Sequence, residues 1–287
     1  MRSRALRKAL ATNQSKIKRS SVSKLLNKKA HLLALHGFTG CGEDFTECSP
    51  LCGSAYTWTC PNLPGHGPEP ALNCSPKATL EWLQTHATAL ASKLSSDRRI
   101  ASSINSIVLG YSMGARAALL HAVANPAYWD ALILISANPG IEFEAERSAR
   151  AASDSDLAQR IISDGVPTFL DFWQHRPIIR SQQNICADWR ARMQQHRLQH
   201  SAIGLATSLK QFGPAACPNL WPQLSTLQCP ILLISGEQDT KYCAIAERMQ
   251  HTLAQAQWVS IPQAGHMPHL EAPEATAAVI RRFLRKL

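Results

Sequence analysis

The sequence predicts an α/β fold in which helices cover both faces of a mostly parallel sheet, with an inserted helical cap. Short apolar runs alternate with helical segments over most of the chain, which is typical of a parallel sheet buried on both faces. Between residues 141 and 220 the strand signals vanish, and helical segments rich in charged residues and glutamine take over. The strand signals return at Ile231. We therefore predict a core of residues 30–140 and 221–287, with residues 141–220 inserted as the cap.

Six apolar runs, each bounded by turn-forming residues, predict the strands of the core. These runs span residues 31–35, 57–60, 107–109, 131–136, 231–236 and 258–261. Helical periodicity lies between them. Residues 76–94 place Leu83 and Ala87 on one apolar stripe, and residues 272–287 predict the last helix.

The third predicted strand runs directly into Gly110-Tyr111-Ser112-Met113-Gly114, a G-x-S-x-G motif. Strong helix formers follow it, and Asn125-Pro126 stops the predicted helix. A sharp turn between strand and helix lifts a serine hydroxyl above the sheet at the positive end of a helix. The two glycines have the small side chains that let such a turn close. We therefore predict that Ser112 is the reactive serine of an active site.

A reactive serine needs a histidine to take its proton, and the histidine needs an orienting carboxylate. Asp239 follows the predicted strand 231–236, and His266 follows the last predicted strand. Both would lie at carboxyl ends of strands, where open parallel sheets place their sites. Glu237 and His269 are the rivals. We favour Asp239 over Glu237 because it lies deeper in the loop, next to the following helix.

Negative charge that develops at such a site is stabilised by backbone N–H groups, one of them from the residue after the serine. We expect Met113 to supply that group and Phe38, in the loop after the first strand, to supply the second. His36 is expected to bond the backbone of that loop. Arg116 follows Ser112 by one helical turn and so projects from the same face. An arginine there favours an anionic substrate, and a surface salt bridge is the alternative.

The net charge of +10 comes from the start of the chain. Residues 1–29 hold ten Lys and Arg and no acidic residue, which leaves 20 basic and 20 acidic residues in the remainder. This distribution argues against a basic face that binds nucleic acid. The basic segment is either a disordered, solvated extension or an organelle transit peptide. We therefore expect a cytoplasmic protein, with an organelle as the alternative.

Two other kinds of protein are disfavoured. No apolar stretch approaches the ~18 residues of a membrane span. The nine cysteines lack the spacing of a zinc site. We expect them to be free thiols in a reducing compartment, and we predict no metal.

Several motifs resemble those of the α/β-hydrolase fold. They are His36-Gly37-Phe38-Thr39-Gly40, Leu63-Pro64-Gly65-His66-Gly67 and the stretch from Gly110 to Arg116. The amino-acid sequences of these motifs are similar to those of the 2-succinyl-6-hydroxy-2,4-cyclohexadiene-1-carboxylate synthase family of menaquinone biosynthesis. The cap adds Ser136 to Ile141, Phe172-Trp173 and Asn219-Leu220-Trp221. The resemblance covers roughly residues 31–287, although Asn62 stands where the family usually has aspartate and Ala115 where it has glycine.

This resemblance implies a lyase rather than a hydrolase. The family eliminates pyruvate from 2-succinyl-5-enolpyruvyl-6-hydroxy-3-cyclohexene-1-carboxylate without adding water and without a metal or organic cofactor. Ser112, Asp239 and His266 would form a catalytic triad, and its serine would then act as a general base on a carbon-bound proton. The resemblance also implies a polycarboxylate substrate. The residues expected to bind it are Arg116, Arg150, Arg197, Trp173 and Tyr111.

Two alternatives to the lyase stay open. A carboxylester or carbon–carbon bond hydrolase would use the same triad, and the set of arginines weighs against it. A fold relative could bind a small ligand without turnover, and the intact triad weighs against that.

Overall fold

A computed structural model describes residues 30–70, 72–96 and 106–287 of the chain. The predicted basic extension at residues 1–29 lies outside the described residues. Within them the strands are β1 (Ala30–Leu35), β2 (Tyr56–Thr59), β3 (Ser106–Tyr111), β4 (Ala131–Ile135), β5 (Ile231–Gly236) and β6 (Ala256–Ile261). They form one sheet in the order β2-β1-β3-β4-β5-β6, and all five neighbouring pairs are parallel. The predicted fold class is confirmed.

The strands alternate their apolar side chains between two cores, one on each face of the sheet. Leu33 and Leu35 belong to one core, whereas Leu32 and Ala34 belong to the other. Every residue of β4 and of β5 is buried. Continuous apolar runs therefore suit the central strands, because neither face of the sheet meets water.

The direction in which successive strands are added to the sheet reverses at β1. It passes from β1 to β2 on one side, then returns to β3 on the other side of β1. Leu35 at the end of β1 pairs with Gly110 near the end of β3. Open α/β sheets bind ligands at such a point, outside the carboxyl ends of the strands. The turn that holds Ser112 and the loop that holds Phe38 therefore lie next to each other.

Helices cover both faces of the sheet and fill the segment between β4 and β5. The α-helices are α1 (Cys48–Leu51), α2 (Pro76–Ser96), α3 (Met113–Ala124), α4 (Glu144–Trp173), α5 (Ala187–Arg197), α6 (Ala202–Phe212), α7 (Thr240–Thr252), α8 (Pro268–Glu271) and α9 (Pro273–Leu284). Short 3-10 helices span Gly42–Phe45, Arg180–Asn184 and Trp221–Thr226. In the described ranges, none of the helices combines the length and the apolar character that crossing a bilayer requires.

The segment predicted as a cap contains α4, α5 and α6. Helix α4 is kinked at Gly165, which has a φ of 77° and stands two residues before Pro167. Ile161 and Phe169 of α4 share a separate small core with Leu205 of α6. Phe212, at the end of α6, belongs instead to a core of the sheet domain. Cap and core thus merge near the end of the segment, and the division at residues 141–220 stays a prediction.

Candidate active site

Ser112, His266 and Asp239 form a hydrogen-bonded chain at the carboxyl edge of the sheet. Ser112 Oγ lies 3.0 Å from His266 Nε2, and His266 Nδ1 lies 2.5 Å from Asp239 Oδ2. The ionised carboxylate only accepts, so Nδ1 carries the imidazole proton and Nε2 accepts from the serine hydroxyl. The histidine and aspartate side chains are only 4% and 11% exposed. This geometry gives the serine a base and gives the base an orienting group.

The two rival residues lie elsewhere. The Glu237 carboxylate accepts from the backbone N–H of Gln263 at 3.1 Å. The His269 ring stacks on Phe45 at 5.4 Å, and neither of its nitrogens has a hydrogen-bond partner among the described residues. Burial lowers the pKa of His269 to about 3. The structure therefore brings Asp239 and His266, not their rivals, to Ser112.

The turn at Ser112 is strained, as the motif predicts. Ser112 has a φ of 52° and a ψ of −106° and caps the N-terminus of α3. A Cβ on Gly110 would lie 2.4 Å from the carbonyl oxygen of Gly114. A Cβ on Gly114 would lie 2.0 Å from the carbonyl oxygen of Leu35. Both positions thus require glycine, because the backbones of β1, β3 and α3 meet there.

Two backbone N–H groups are available next to the serine. Met113 begins α3, where an amide has no intrahelical acceptor. The Phe38 amide lies in the loop after β1 and has no acceptor among the described residues. A Cβ on Gly37 would lie 2.6 Å from the Tyr111 ring, so glycine lets this loop approach the serine turn. Phe38 and Met113 line the same cavity as Ser112, and their oxyanion role stays a prediction.

Three buried histidines hold the loop that carries Phe38. His36 donates from Nδ1 to the carbonyl of Gly37 at 2.8 Å and accepts from the Leu63 amide at 2.9 Å. His66 accepts from the Thr39 amide at 3.3 Å, and His200 contacts the Thr39 carbonyl at 3.0 Å. The backbone role expected of His36 is confirmed.

Burial keeps these three rings neutral. It lowers the pKa of His36 to about 4, and it lowers the pKa of His66 and of His200 as well. A neutral ring has one donor and one acceptor nitrogen, and each ring uses both. Because His200 comes from the cap, the set joins the cap to the loop of the candidate oxyanion site.

A cavity of about 260 Å³ lies between the edge of the sheet and the cap. The predicted site residues on its wall are Phe38, Tyr111, Ser112, Met113, Arg116, Arg150, Trp173 and His266. Trp173 stacks on Phe169 with 5.6 Å between ring centroids and meets Phe38 edge-to-face, also at 5.6 Å. An aromatic wall from the cap thus closes over the loop that carries Phe38.

Two of the predicted arginines share this wall. Arg116 is buried and donates from Nη2 to the Phe212 carbonyl at 3.1 Å, and its Nε has no partner among the described residues. Arg150 is about 39% exposed and forms an ion pair with the buried Asp154, with 2.7 Å from Nε to Oδ1. Burial raises the pKa of Asp154, and Arg150 and Arg116 oppose that rise. Two guanidinium groups against one carboxylate make this side of the cavity suited to an anion.

The third predicted arginine, Arg197, is not on the wall. It is buried and donates to Gln182 Oε1 at 3.0 Å, and Gln182 does line the cavity. Arg197 thus lies one side chain behind the wall, and a ligand in this cavity would meet Gln182 first.

The lining residues without a predicted role in the site include Arg176, Gln182 and Tyr242. Arg176 follows Trp173, the last residue of α4, by three residues, and its backbone N–H donates to the Trp173 carbonyl at 3.0 Å, so a turn keeps the two residues close. Tyr242 packs edge-to-face on His266 with 4.5 Å between ring centroids. No local pattern signals the place of Tyr242, because it reaches the cavity through long-range packing. Gln182 belongs to Ser181-Gln182, a pair that is similar to the family's cap sequence, but no site role was predicted for it.

Among the described residues, one set of side chains has the donor types of a metal site. The ligand atoms of Cys41, Asp44 and His196 lie within 4.8 Å of one another, outside the cavity. The nearby Arg197 guanidinium lowers the pKa of Asp44, against a larger rise caused by burial. The position next to the carboxylate thus already faces a buried cation, which disfavours a second positive charge.

Comparison with known proteins places this geometry in a family. Residues 32–279 match the alpha/beta hydrolase family. A 2-succinyl-6-hydroxy-2,4-cyclohexadiene-1-carboxylate synthase of Enterobacter sp. (strain 638) is 30% identical, over 88% of this chain and 91% of that protein. A Bacillus subtilis (strain 168) protein with the same name as a provisional assignment is 32% identical, over 91% and 92%. The solved structure of MenH from S. aureus superposes with a TM-score of 0.81 at 27% identity, covering 90% of this chain and 94% of that one.

The fold and the matched residues define an enzyme of the alpha/beta hydrolase class, and the chain belongs to that family. Within it, the chain groups with the 2-succinyl-6-hydroxy-2,4-cyclohexadiene-1-carboxylate synthases, which it matches over almost the full length of both chains.

Proposed function

We propose that the protein eliminates pyruvate from 2-succinyl-5-enolpyruvyl-6-hydroxy-3-cyclohexene-1-carboxylate to give 2-succinyl-6-hydroxy-2,4-cyclohexadiene-1-carboxylate, a step of menaquinone biosynthesis. The observation that carries the proposal is that Arg116 and Arg150 line the same cavity as Ser112 and His266. A neutral ester would gain nothing from two guanidinium groups there, whereas a polycarboxylate gains charge-assisted hydrogen bonds. The names of the full-length relatives favour the same reaction.

The residues divide the elimination among them. Ser112 takes a proton from a ring carbon next to the succinyl carbonyl, and its own hydroxyl proton passes to His266, which Asp239 orients. The carbon–oxygen bond to the enolpyruvyl group breaks as the ring double bond shifts and a second one forms. The departing enolate of pyruvate takes the proton that His266 holds and becomes pyruvate, which returns the imidazole to its neutral form. Negative charge that develops on the carbonyl oxygen faces the amides of Phe38 and Met113. No water enters the balance.

The substrate carboxylates are held by Arg116 and Arg150, with Trp173 closing the cavity from the cap. Arg197 acts on the substrate through Gln182 or not at all. Tyr111 packs beside the serine turn as a wall of the site. The protein works on a small molecule in a cytoplasmic setting, and the basic segment at residues 1–29 makes an organelle the alternative.

A hydrolase acting on carboxylic esters is the second candidate, because an activated serine beside two free amides is also the machinery of ester cleavage. The test is to supply the purified protein with the cyclohexene precursor and follow pyruvate through its reduction by lactate dehydrogenase. The same protein is supplied with a neutral ester. Release of pyruvate with no ester turnover supports the lyase. Ester turnover with no pyruvate supports the hydrolase.

A further inference from the structure

Glu271 contacts the backbone on both sides of His266. Its Oε2 accepts from the Gly265 N–H at 2.5 Å, and its Oε1 accepts from the Met267 N–H at 2.9 Å. The carbonyl of His266 accepts from the Ser136 hydroxyl at 2.8 Å. The peptide groups around the histidine are thus held by a charged side chain and a buried hydroxyl, and the loop has little freedom to turn the imidazole.

The same carboxylate also reaches the cap. Glu271 Oε1 accepts from the Ser181 hydroxyl at 2.9 Å. A Cβ on Gly265 would lie 2.2 Å from Ser181 Oγ, so the cap and the histidine loop touch with no space for a side chain. Ser181 lies in the 3-10 helix Arg180–Asn184, and its neighbour Gln182 lines the cavity. A ligand that contacts this part of the cap is therefore linked to the histidine loop through one hydrogen bond, from the Ser181 hydroxyl to the Glu271 carboxylate.

We propose that Glu271 is a positioning residue that fixes His266 for proton transfer and couples its placement to the cap through Ser181. The inference rests on the proposed role of His266 as the base. It does not depend on the substrate, because a hydrolase would need the same orientation. Only a carboxylate fits, since both of its oxygens accept from N–H groups. Glutamine would turn an NH₂ group toward one of those donors and lose that bond.

The test compares Glu271→Gln and Ser181→Ala with the control Glu274→Gln, an exposed glutamate in the first turn of α9. Steady-state pyruvate release gives kcat and KM, and urea unfolding gives the folded fraction of each variant. Proton NMR follows the Nδ1–H of His266, which the short hydrogen bond to Asp239 shifts far downfield. The NMR arm needs no substrate, so it stays readable if the proposed function fails.

For Glu271→Gln we expect kcat to fall about 10- to 100-fold, with KM changed less than about threefold and the His266 resonance moved or broadened. Ser181→Ala should show the same pattern at about threefold in kcat, because one of three bonds to the carboxylate is lost. Glu274→Gln should match wild type in both readouts. An unchanged resonance and kcat in folded Glu271→Gln would overturn the proposal. If Ser181→Ala has the same kcat and the same His266 resonance as the wild type, the proposed coupling to the cap is overturned.

Discussion

The imidazole of His266 is the residue on which the proposed chemistry converges, because it bonds Ser112 on one side and Asp239 on the other. We predict that Ser112→Ala, Asp239→Asn and His266→Ala each lower kcat by several orders of magnitude while the fold persists. The three groups act as one unit, so a double variant should be little worse than the worst single one. Steady-state kinetics with circular dichroism would check both statements.

Glu237 offers the matched control for the carboxylate. Its side chain accepts a loop amide and does not reach His266, so Glu237→Gln should retain near-normal turnover. If Asp239→Asn stayed active and Glu237→Gln collapsed instead, the carboxylate of the triad would have to be reassigned.

Arg116 and Arg150 decide between the two candidate functions at the same scale. Replacing either by alanine should cost about 2–5 kcal/mol of transition-state stabilisation with the polycarboxylate, because a substrate charge loses its partner. Lysine should rescue only in part, since it lacks the planar fork of a guanidinium. The measurement is kcat/KM for pyruvate release, repeated at rising salt, which should lower activity by screening anion capture.

Arg282, which is exposed on α9, is the control for that series. Arg282→Ala should leave kcat/KM unchanged. Equal kcat/KM for wild type, Arg116→Ala and Arg150→Ala would remove the arginines from substrate binding.

At the scale of secondary-structure elements, the sheet could be predicted because its strands are short, continuous apolar runs that end in glycine or polar turns. β5 matches its prediction residue for residue, and each of the other strands differs from its prediction by one or two residues at one or both ends. Order within the sheet also brought Asp239 and His266 to Ser112, because carboxyl ends of parallel strands share one edge.

The cap could be predicted only in outline. Which face of a cap helix meets the cavity depends on how the cap docks on the sheet, and no local pattern records that docking. The place of Arg176 on the cavity wall was therefore not predicted, and Arg197 was expected at the wall although it lies behind Gln182. Tyr242 was not predicted either, although it lies on α7 of the core, because its contact with His266 depends on packing between separate segments. The proposed positioning of His266 by Glu271 likewise depends on a contact with Ser181, 90 residues away in the chain.

The basic N-terminal segment is an element with its own prediction. The motifs of the candidate site all follow the start of β1, and the chain after residue 29 has 20 basic and 20 acidic residues. We predict that deleting residues 1–24 leaves kcat, KM and the urea midpoint almost unchanged. A large loss of activity or solubility in the truncated protein would mean that the segment packs against the sheet.

For the whole molecule, buried histidines predict a loss of stability in acid. Burial lowers the pKa of His36 and His121 to about 4 and that of His269 to about 3, from 6.5 in the unfolded chain. Below pH 6.5 the unfolded chain binds protons that the folded protein refuses, so the free energy of unfolding falls as pH falls toward about 4. The slope should be roughly 1.4 kcal/mol per pH unit for each such histidine. Urea unfolding at a series of pH values measures it.

His269→Leu isolates one contribution. The ring nitrogens of His269 have no hydrogen-bond partner among the described residues, so the variant should keep the fold and flatten the slope. His251→Gln, at an exposed position of α7, should leave the slope as it is. A free energy of unfolding that stays constant between pH 6.5 and 4 would contradict the neutral, buried state of these rings.

The central claim is that the triad eliminates pyruvate without adding water. Its most direct test is to measure pyruvate and the ultraviolet absorbance of the cyclohexadiene together, with the cyclohexene precursor and purified protein. The account predicts that both products appear at the same rate in equal amounts, and that both are lost in Ser112→Ala. Pyruvate without the diene, or neither product from the wild-type protein, would contradict it.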